Sequence, residues 1–168
     1  MIENLAAFSK QSCSACEKEI DALLPAGEKT KKHYLYAIEI NDFCPDKQAA
    51  DSVDISSDYA GVYADSNAGI TVGYLWFFAV EKEGRDIAFL MDIFVFPEYR
   101  RKGIARNALG LAEKLLAERG YGTIRLHVED SNTAAKNLYA GLGYGFIQRA
   151  ESGEILEKRT DVQNKTLV

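Results

Sequence analysis

The distribution of apolar and polar positions along the chain predicts alternating strands and helices. Short apolar runs bounded by turn residues are typical of strands, whereas apolar residues at helical spacing indicate helices. The predicted strands span residues 34–40, 70–80, 87–96, 123–128, 146–150 and 154–158. The predicted helices span residues 2–24, 103–119 and 132–142.

The order of these elements predicts a mixed sheet. The strand–helix–strand unit across residues 90–128 must form a right-handed parallel crossover, whereas strands joined by short turns pair antiparallel. Residues 87–96 are apolar on both faces except for Asp92, which indicates a strand at the sheet centre. We therefore expect an α/β (α+β) fold with a mixed, mostly antiparallel sheet of about six or seven strands, flanked by helices.

Residues 42–69 lack a clear periodic pattern and are acidic. They contain six aspartates and one lysine. We interpret them as a long polar connector in which residues 60–63 are the part expected to be ordered. Connectors of this length are uncommon in compact domains and are usually functional or mobile.

Length and composition indicate an ordinary globular protein. The 168 residues are expected to form a single domain over 1–168, and 47% of them are hydrophobic and 27% charged. No apolar run approaches the ~20 residues of a membrane span, and no secretory signal is visible at the N-terminus. The expected location is the cytoplasm, with no membrane partner.

The charge is distributed unevenly along the chain. The net charge of −5 argues against a nucleic-acid partner. Residues 1–99 carry 8 basic and 17 acidic side chains, whereas residues 100–168 carry 12 and 8. The second part is thus suited to an anionic ligand and the first to a cationic one. The alternative is that surface charge varies along the chain without a functional reason.

The cysteines do not indicate a metal site. Cys13 and Cys16 form a C-x-x-C pair within a helical pattern, and Cys44 is the third cysteine. A zinc site needs a second pair, and a thioredoxin-type motif would follow a strand. We interpret the pair as two partly buried thiols one helical turn apart, and expect no metal.

A basic loop follows the strand predicted at residues 87–96. Arg100, Arg101 and Lys102 precede Gly103, where the next helix is predicted to start. Unpaired N–H groups and the positive end of the dipole make a helix N-terminus attractive to anions. The segment therefore predicts a cradle for a phosphate or pyrophosphate, unless it is only a solvated basic turn.

Two common phosphate-binding fingerprints do not fit the chain. Lys102 is followed by glycine rather than serine or threonine, so the basic loop is not a Walker A motif. Gly141, Gly143 and Gly145 follow a helix rather than a strand. We interpret these three as helix-capping and turn glycines.

Two motifs, in order, resemble the GNAT superfamily of acetyl-CoA-dependent N-acyltransferases. The family signature Arg/Gln-x-x-Gly-x-Gly/Ala is present as Arg100-x-x-Gly103-x-Ala105. The second block, Asn-x-x-Ala-x-x-x-Tyr, is present as Asn132-x-x-Ala135-x-x-x-Tyr139 and is followed by Gly143-Tyr144. The resemblance covers about residues 33–160 and implies a GNAT-like fold with a splayed parallel pair of strands.

The resemblance implies acetyl-CoA as co-substrate and roles at the matching positions. Backbone amides of residues 101–106 would hold the pyrophosphate, and main-chain groups of Ile93 and Val95 would pair with the pantetheine arm. Asn132 would contact that arm or orient its loop, and Tyr139 would lie near the sulfur. The implied coenzyme-binding residues are Ile93, Val95, Arg100, Arg101, Lys102, Gly103, Ile104, Ala105, Arg106, Asn132, Ala135 and Tyr139.

The chemistry of a thioester suggests direct transfer to an amine in a ternary complex. The thiolate that leaves has a pKa near ~8.5, so a phenol within reach, here Tyr139, is a suitable acid. Asp92 is a candidate general base, or else a charge paired within the sheet. Some relatives carry glutamate where this chain has Met91, which leaves Glu129, Asp130 and a water chain as alternatives.

Simpler structural roles compete with the functional ones. Asn132 is also a typical helix N-cap, and Tyr139 also suits a core aromatic position. His33 and His127 are isolated, and we interpret both as structural.

The leading hypothesis is an N-acetyltransferase for a cationic primary amine such as a polyamine, an aminoglycoside or a lysine side chain. The alternatives are a non-catalytic acyl-CoA sensor and a nucleotide-binding protein. A homodimer is plausible through the last hairpin or a sheet edge.

Overall fold

The computed structural model describes residues 33–40, 52–56, 70–82 and 85–160. The predicted N-terminal helix, the three cysteines, residues 60–63 and the polar tail from residue 161 lie outside the described residues. No helix in the described part has the length and apolar content needed to span a membrane.

The described residues form one seven-stranded mixed sheet. Its strands are β1 (His33–Ile40), β2 (Val53–Ser56), β3 (Ile70–Lys82), β4 (Arg85–Val95), β5 (Thr123–Glu129), β6 (Gly145–Arg149) and β7 (Gly153–Arg159). The order across the sheet is β2-β1-β3-β4-β5-β7-β6. Among these strands only β4 and β5 pair in parallel. The predicted fold class is confirmed, and β4 is the central strand, as its apolar faces indicated.

The interpretation of residues 42–69 as connector is wrong for β2. This strand pairs antiparallel with β1, with Ile38 opposite Ile55, and Ile55 is buried in the core. The segment has only four residues, and Asp54 beside Ile55 is exposed. A strand this short, stabilised by backbone pairing and one buried side chain, has too few positions for a periodic signal.

The described part of the chain contains two α-helices that connect strands. Helix α1 (Ile104–Glu118) joins β4 to β5, and helix α2 (Thr133–Ala140) follows β5. Helix α1 buries a stripe of apolar side chains against the sheet, namely Ile104, Ala108, Leu109, Ala112 and Leu116. The stripe also buries Glu113, which forms an ion pair with Lys158 of β7. A glutamate between apolar positions was not predicted to be buried, because its partner is distant in sequence.

A bulge interrupts β4 near its middle. Trp76 of β3 pairs with Asp92 and Phe77 pairs with Leu90, so Met91 is an extra residue on β4. A bulge bends its strand and changes which face the following side chains occupy. Met91 is 40% exposed.

The parallel strands separate at the same level. Pairing of β4 with β5 begins at Ile87 with Thr123 and stops at Leu90 with Leu126. Strand β4 nevertheless continues to Val95 and β5 continues to Glu129. The carboxyl ends of the two strands thus splay apart, as the family resemblance implied.

Candidate active site

The basic loop after β4 presents backbone amides at the start of α1. Arg101 has φ 63° and Gly103 has φ 78°, so two residues of the loop are left-handed. Gly103 is the N-cap of α1 and provides no side-chain cap for the first amides. Left-handed turns leading into a helix form a concave set of N–H donors that suits an anion. The predicted cradle therefore has the required backbone shape.

A cleft of about 210 Å³ lies against this loop. It is lined by Val95, Tyr99, Arg100, Arg101, Gly103, Ile104, Ala105, Arg106 and Leu138. The fold thus gathers the end of β4, the start of α1 and one residue of α2 around one space. Lys102, which was predicted with this group, is absent from the lining; its ammonium lies 5.4 Å from the centre of the Tyr99 ring.

Two arginines of the predicted cradle donate to carbonyl groups of the protein. Arg100 Nε donates to the Val95 carbonyl at 2.8 Å, and its guanidinium lies over the ring of Phe94. Arg106 Nη1 donates to the Gly141 carbonyl at 2.9 Å. Both side chains bring positive charge to the rim of the cleft while bracing the elements that form it.

The main chain of β4 beyond the bulge faces the splayed gap at alternate residues. Phe96 N–H donates to the Val72 carbonyl of β3 at 2.8 Å. Because main-chain groups alternate sides along a strand, those of Ile93 and Val95 turn away from β3, toward β5. Pairing with β5 has already ended at this level. An extended ligand could therefore add to β4 as a strand would.

The second motif starts α2. Asn132 is its N-cap, and Oδ1 accepts a hydrogen bond from Ala135 N–H at 3.1 Å. The simpler capping role is thus present. Asn132 is also exposed, whereas Ala135 is partly buried against the core.

Tyr139 lies in the last turn of α2 and is only 6% exposed. Its ring packs edge-on against Tyr144, with ring centres 5.7 Å apart. Burial, together with the nearby charge of Asp92, raises the pKa of Tyr139 to about 12. The phenol is therefore protonated at neutral pH and can donate a hydrogen bond or a proton.

Asp92 follows the bulge and is exposed. Tyr74 Oη donates to Asp92 Oδ2 at 2.5 Å. Among the ion pairs of the described residues, none involves Asp92, and its hydrogen bond within the sheet is the one from Tyr74. The charge of Asp92 acts on Tyr139, so the carboxylate and the phenol are electrostatic neighbours.

The hydrogen bond from Tyr74 to Asp92 is a contact that the sequence did not predict. Tyr74 lies within an apolar strand run, is 5% exposed and stacks on Phe94 with ring centres 5.8 Å apart. Only the register of β3 against β4 brings its hydroxyl to Asp92.

The other candidate bases fit the task less well. Asp130 accepts hydrogen bonds from Lys136 at 3.1 Å and Arg149 at 2.6 Å. The hydrogen bond from Lys136 is the main reason that the pKa of Asp130 is lowered, which makes this carboxylate a weaker base. Glu129 is exposed at the end of β5.

The two histidines have different surroundings. His33 Nδ1 accepts a hydrogen bond from Trp76 Nε1 at 3.0 Å, and burial lowers the pKa of His33. His127 is exposed on β5.

Comparison with known proteins supports the resemblance. A family model described as acetyltransferase (GNAT) family matches residues 27–144. The chain is 28% identical to the uncharacterized N-acetyltransferase YycN of Bacillus subtilis (strain 168), over 73% of this chain and 62% of that protein. It is 38% identical to thialysine N-epsilon-acetyltransferase of Bos taurus, over 48% of each chain. The chain thus spans between about half and three fifths of the length of these relatives.

Solved structures share the fold. The PaiA N-acetyltransferase from Thermoplasma acidophilum, in complex with coenzyme A, matches with a TM-score of 0.57 and 17% identity, covering 94% of this chain and 92% of that one. The ribosomal-protein-S18-alanine N-acetyltransferase from Escherichia coli matches with a TM-score of 0.54 and 19% identity, covering 90% and 81%.

Proposed function

The chain belongs to the acetyltransferase (GNAT) family, and we propose that it transfers an acetyl group from acetyl-CoA to a primary amine by direct attack in a ternary complex. One observation carries this proposal. The cleft at the predicted phosphate cradle is lined both by Val95, at the end of β4 where pairing with β5 has already stopped, and by Leu138, the residue before Tyr139 on α2.

The cleft supports coenzyme binding at residues 100–106. Backbone amides at the start of α1 would bind the pyrophosphate, because the helix dipole and the basic rim favour a double negative charge. Main-chain groups of Ile93 and Val95 would hold the pantetheine arm as an added strand. The Arg100 bond to the Val95 carbonyl would keep the end of β4 rigid at this point.

Each chemical step has a candidate group in the gap. The Asp92 carboxylate would accept a proton from the ammonium group and pass it to solvent, and the neutral nitrogen would then attack the thioester carbonyl carbon. The surplus proton left on that nitrogen would pass to Asp92 as the tetrahedral intermediate collapses. Backbone N–H groups of β4 beyond the bulge would stabilise the oxyanion. When the carbon–sulfur bond breaks, Tyr139 would donate its proton to the thiolate and later regain one from solvent.

We further propose a cationic amine as acceptor. An exposed carboxylate at the gap attracts an ammonium group, and residues 1–99 carry a net charge of −9. The similarity to a thialysine N-epsilon-acetyltransferase is consistent with an amine on a flexible side chain as acceptor.

The test is release of free thiol from acetyl-CoA with a panel of amines: polyamines, aminoglycosides, lysine and anionic amino acids. We expect release with a cationic amine. A preference for anionic acceptors would refute the acceptor class. Tight CoA binding without release for any amine would favour a sensor, and ATP competing as well as CoA would favour a nucleotide-binding protein.

A further inference from the structure

Arg106 occupies an electrostatically unusual place. It lies in the first turn of α1, at the positive end of that helix dipole, where cations are disfavoured. Its guanidinium donates to the carbonyl of Gly141, the C-cap of α2. The C-terminus of a helix has unpaired carbonyls and the negative end of the dipole, where an arginine is favoured. Arg106 thus joins the start of α1 to the end of α2.

The space at Gly141 is shaped for this contact. A Cβ at Gly141 would lie 2.4 Å from Arg106 Nη2 and 3.2 Å from the Asn137 carbonyl oxygen, so a side chain there would require the end of Arg106 to shift. The φ of Gly141 is −68°, an ordinary helical value, so the backbone conformation does not require glycine. The position of the Arg106 guanidinium, which occupies the space where a Cβ would lie, accounts for glycine at residue 141.

The turn that Arg106 contacts also carries Tyr139. Gly141 N–H donates to the Asn137 carbonyl at 3.0 Å, and Tyr144 N–H donates to the Tyr139 carbonyl at 3.0 Å. These bonds make residues 137–144 one hydrogen-bonded unit. Arg106 and Leu138 line the same cleft, one from each helix.

We propose that Arg106 is a positioning residue whose guanidinium, bound to the Gly141 carbonyl, fixes Tyr139 relative to the coenzyme cradle. The inference rests on the proposed function, in which Tyr139 protonates the thiolate. Its alternative is that Arg106 only supplies positive charge to the bound phosphates. The positioning role and the charge role predict different results for a variant that keeps the charge of Arg106 but breaks its hydrogen bond to the Gly141 carbonyl.

Gly141→Ala is that variant, since it displaces the guanidinium and leaves its charge at the cleft. Gly110→Ala is its matched control, because a Cβ at Gly110 has nothing within 4 Å among the described residues. Arg106→Met removes contact and charge together. Lys114→Met removes a charge from an exposed position of the same helix.

We expect Gly141→Ala to lower kcat about tenfold or more at saturating acetyl-CoA, since small misplacements of a catalytic group have effects of this size. Its CoA dissociation constant, measured by calorimetry, should stay within about twofold of wild type. Arg106→Met should show the same loss of kcat with weaker CoA binding, and the double variant should lose no further kcat. Both controls should keep wild-type kcat.

A wild-type kcat in Gly141→Ala, or in Arg106→Met at saturating acetyl-CoA, would overturn the proposal. Hydrogen exchange provides a readout that does not need turnover. Added CoA should slow exchange of the amides of residues 139–144 in the wild type but not in Arg106→Met. If the wild type releases no thiol, the proposed function fails. Hydrogen exchange then decides whether the coenzyme cradle and α2 are coupled. Equal protection of residues 139–144 by CoA in the wild type and in Arg106→Met would refute this coupling.

Discussion

Replacing Tyr139 by phenylalanine tests the proposed chemistry most directly. The substitution removes one hydroxyl from a side chain that is 6% exposed and keeps the edge-on ring contact with Tyr144. A hydrogen bond to a charged group contributes about 1.5–3 kcal/mol. At 1.36 kcal/mol per factor of ten, loss of this donor to the departing thiolate slows the chemical step about 10- to 150-fold.

The pH dependence gives a second, independent readout. Because burial and Asp92 raise the pKa of Tyr139 to about 12, the phenol keeps its proton through the neutral and mildly alkaline range. Thiol release by the wild type should therefore show no loss of activity from Tyr139 ionisation below about pH 10. The assay measures kcat at saturating acetyl-CoA across this range for both proteins.

Tyr144→Phe is the matched control for Tyr139→Phe. Burial and the neighbouring Glu113, which has no part in the proposed chemistry, raise the pKa of Tyr144, so removal of its hydroxyl should leave kcat within about twofold. A Tyr139→Phe enzyme within twofold of wild type would refute the acid role. An alkaline limb near about pH 8–9 that disappears in this variant would instead contradict the raised pKa, because it would show Tyr139 ionising far below the value its burial implies, while leaving the acid role in place.

Three further predictions test the surroundings of the site. Asp92→Asn should lower kcat/KM about a hundredfold, as loss of a general base does, and a change below threefold would exclude that role. Asp130→Asn should leave kcat within about threefold in the same assay, because Lys136 already engages this carboxylate; a hundredfold loss would make Asp130 the base. Gly73→Ala should destabilise the protein by about 1–3 kcal/mol in thermal unfolding, since its Cβ would lie 2.1 Å from the Phe94 carbonyl oxygen; an unchanged Tm would refute this packing argument.

Much of the fold was predictable because it depends on local patterns. The apolar run of β4, the buried stripe of α1 and the Asn132 cap are each encoded within a few consecutive residues. Strand β2 was missed because its pairing, rather than its own composition, makes it a strand.

For the candidate site, the sequence determined which groups are available: the basic loop, Asp92 and Tyr139. It did not determine what holds them. Tyr74 meets Asp92 across 18 positions, and Arg106 meets Gly141 across 35. No periodic signal reaches over such distances. The hydrogen bond that Arg100 donates to the Val95 carbonyl was not predicted either.

What the sequence by itself determined is therefore the order of elements, the central strand and the chemical types at the carboxyl edge of β4. Only the tertiary structure decided the extra residue Met91, which shifts the register with β3 by one residue at the level where β4 and β5 part. The physical reason is that strand register is a long-range choice. A one-residue shift reverses which face every following side chain occupies, and only pairing with the neighbouring strands sets it.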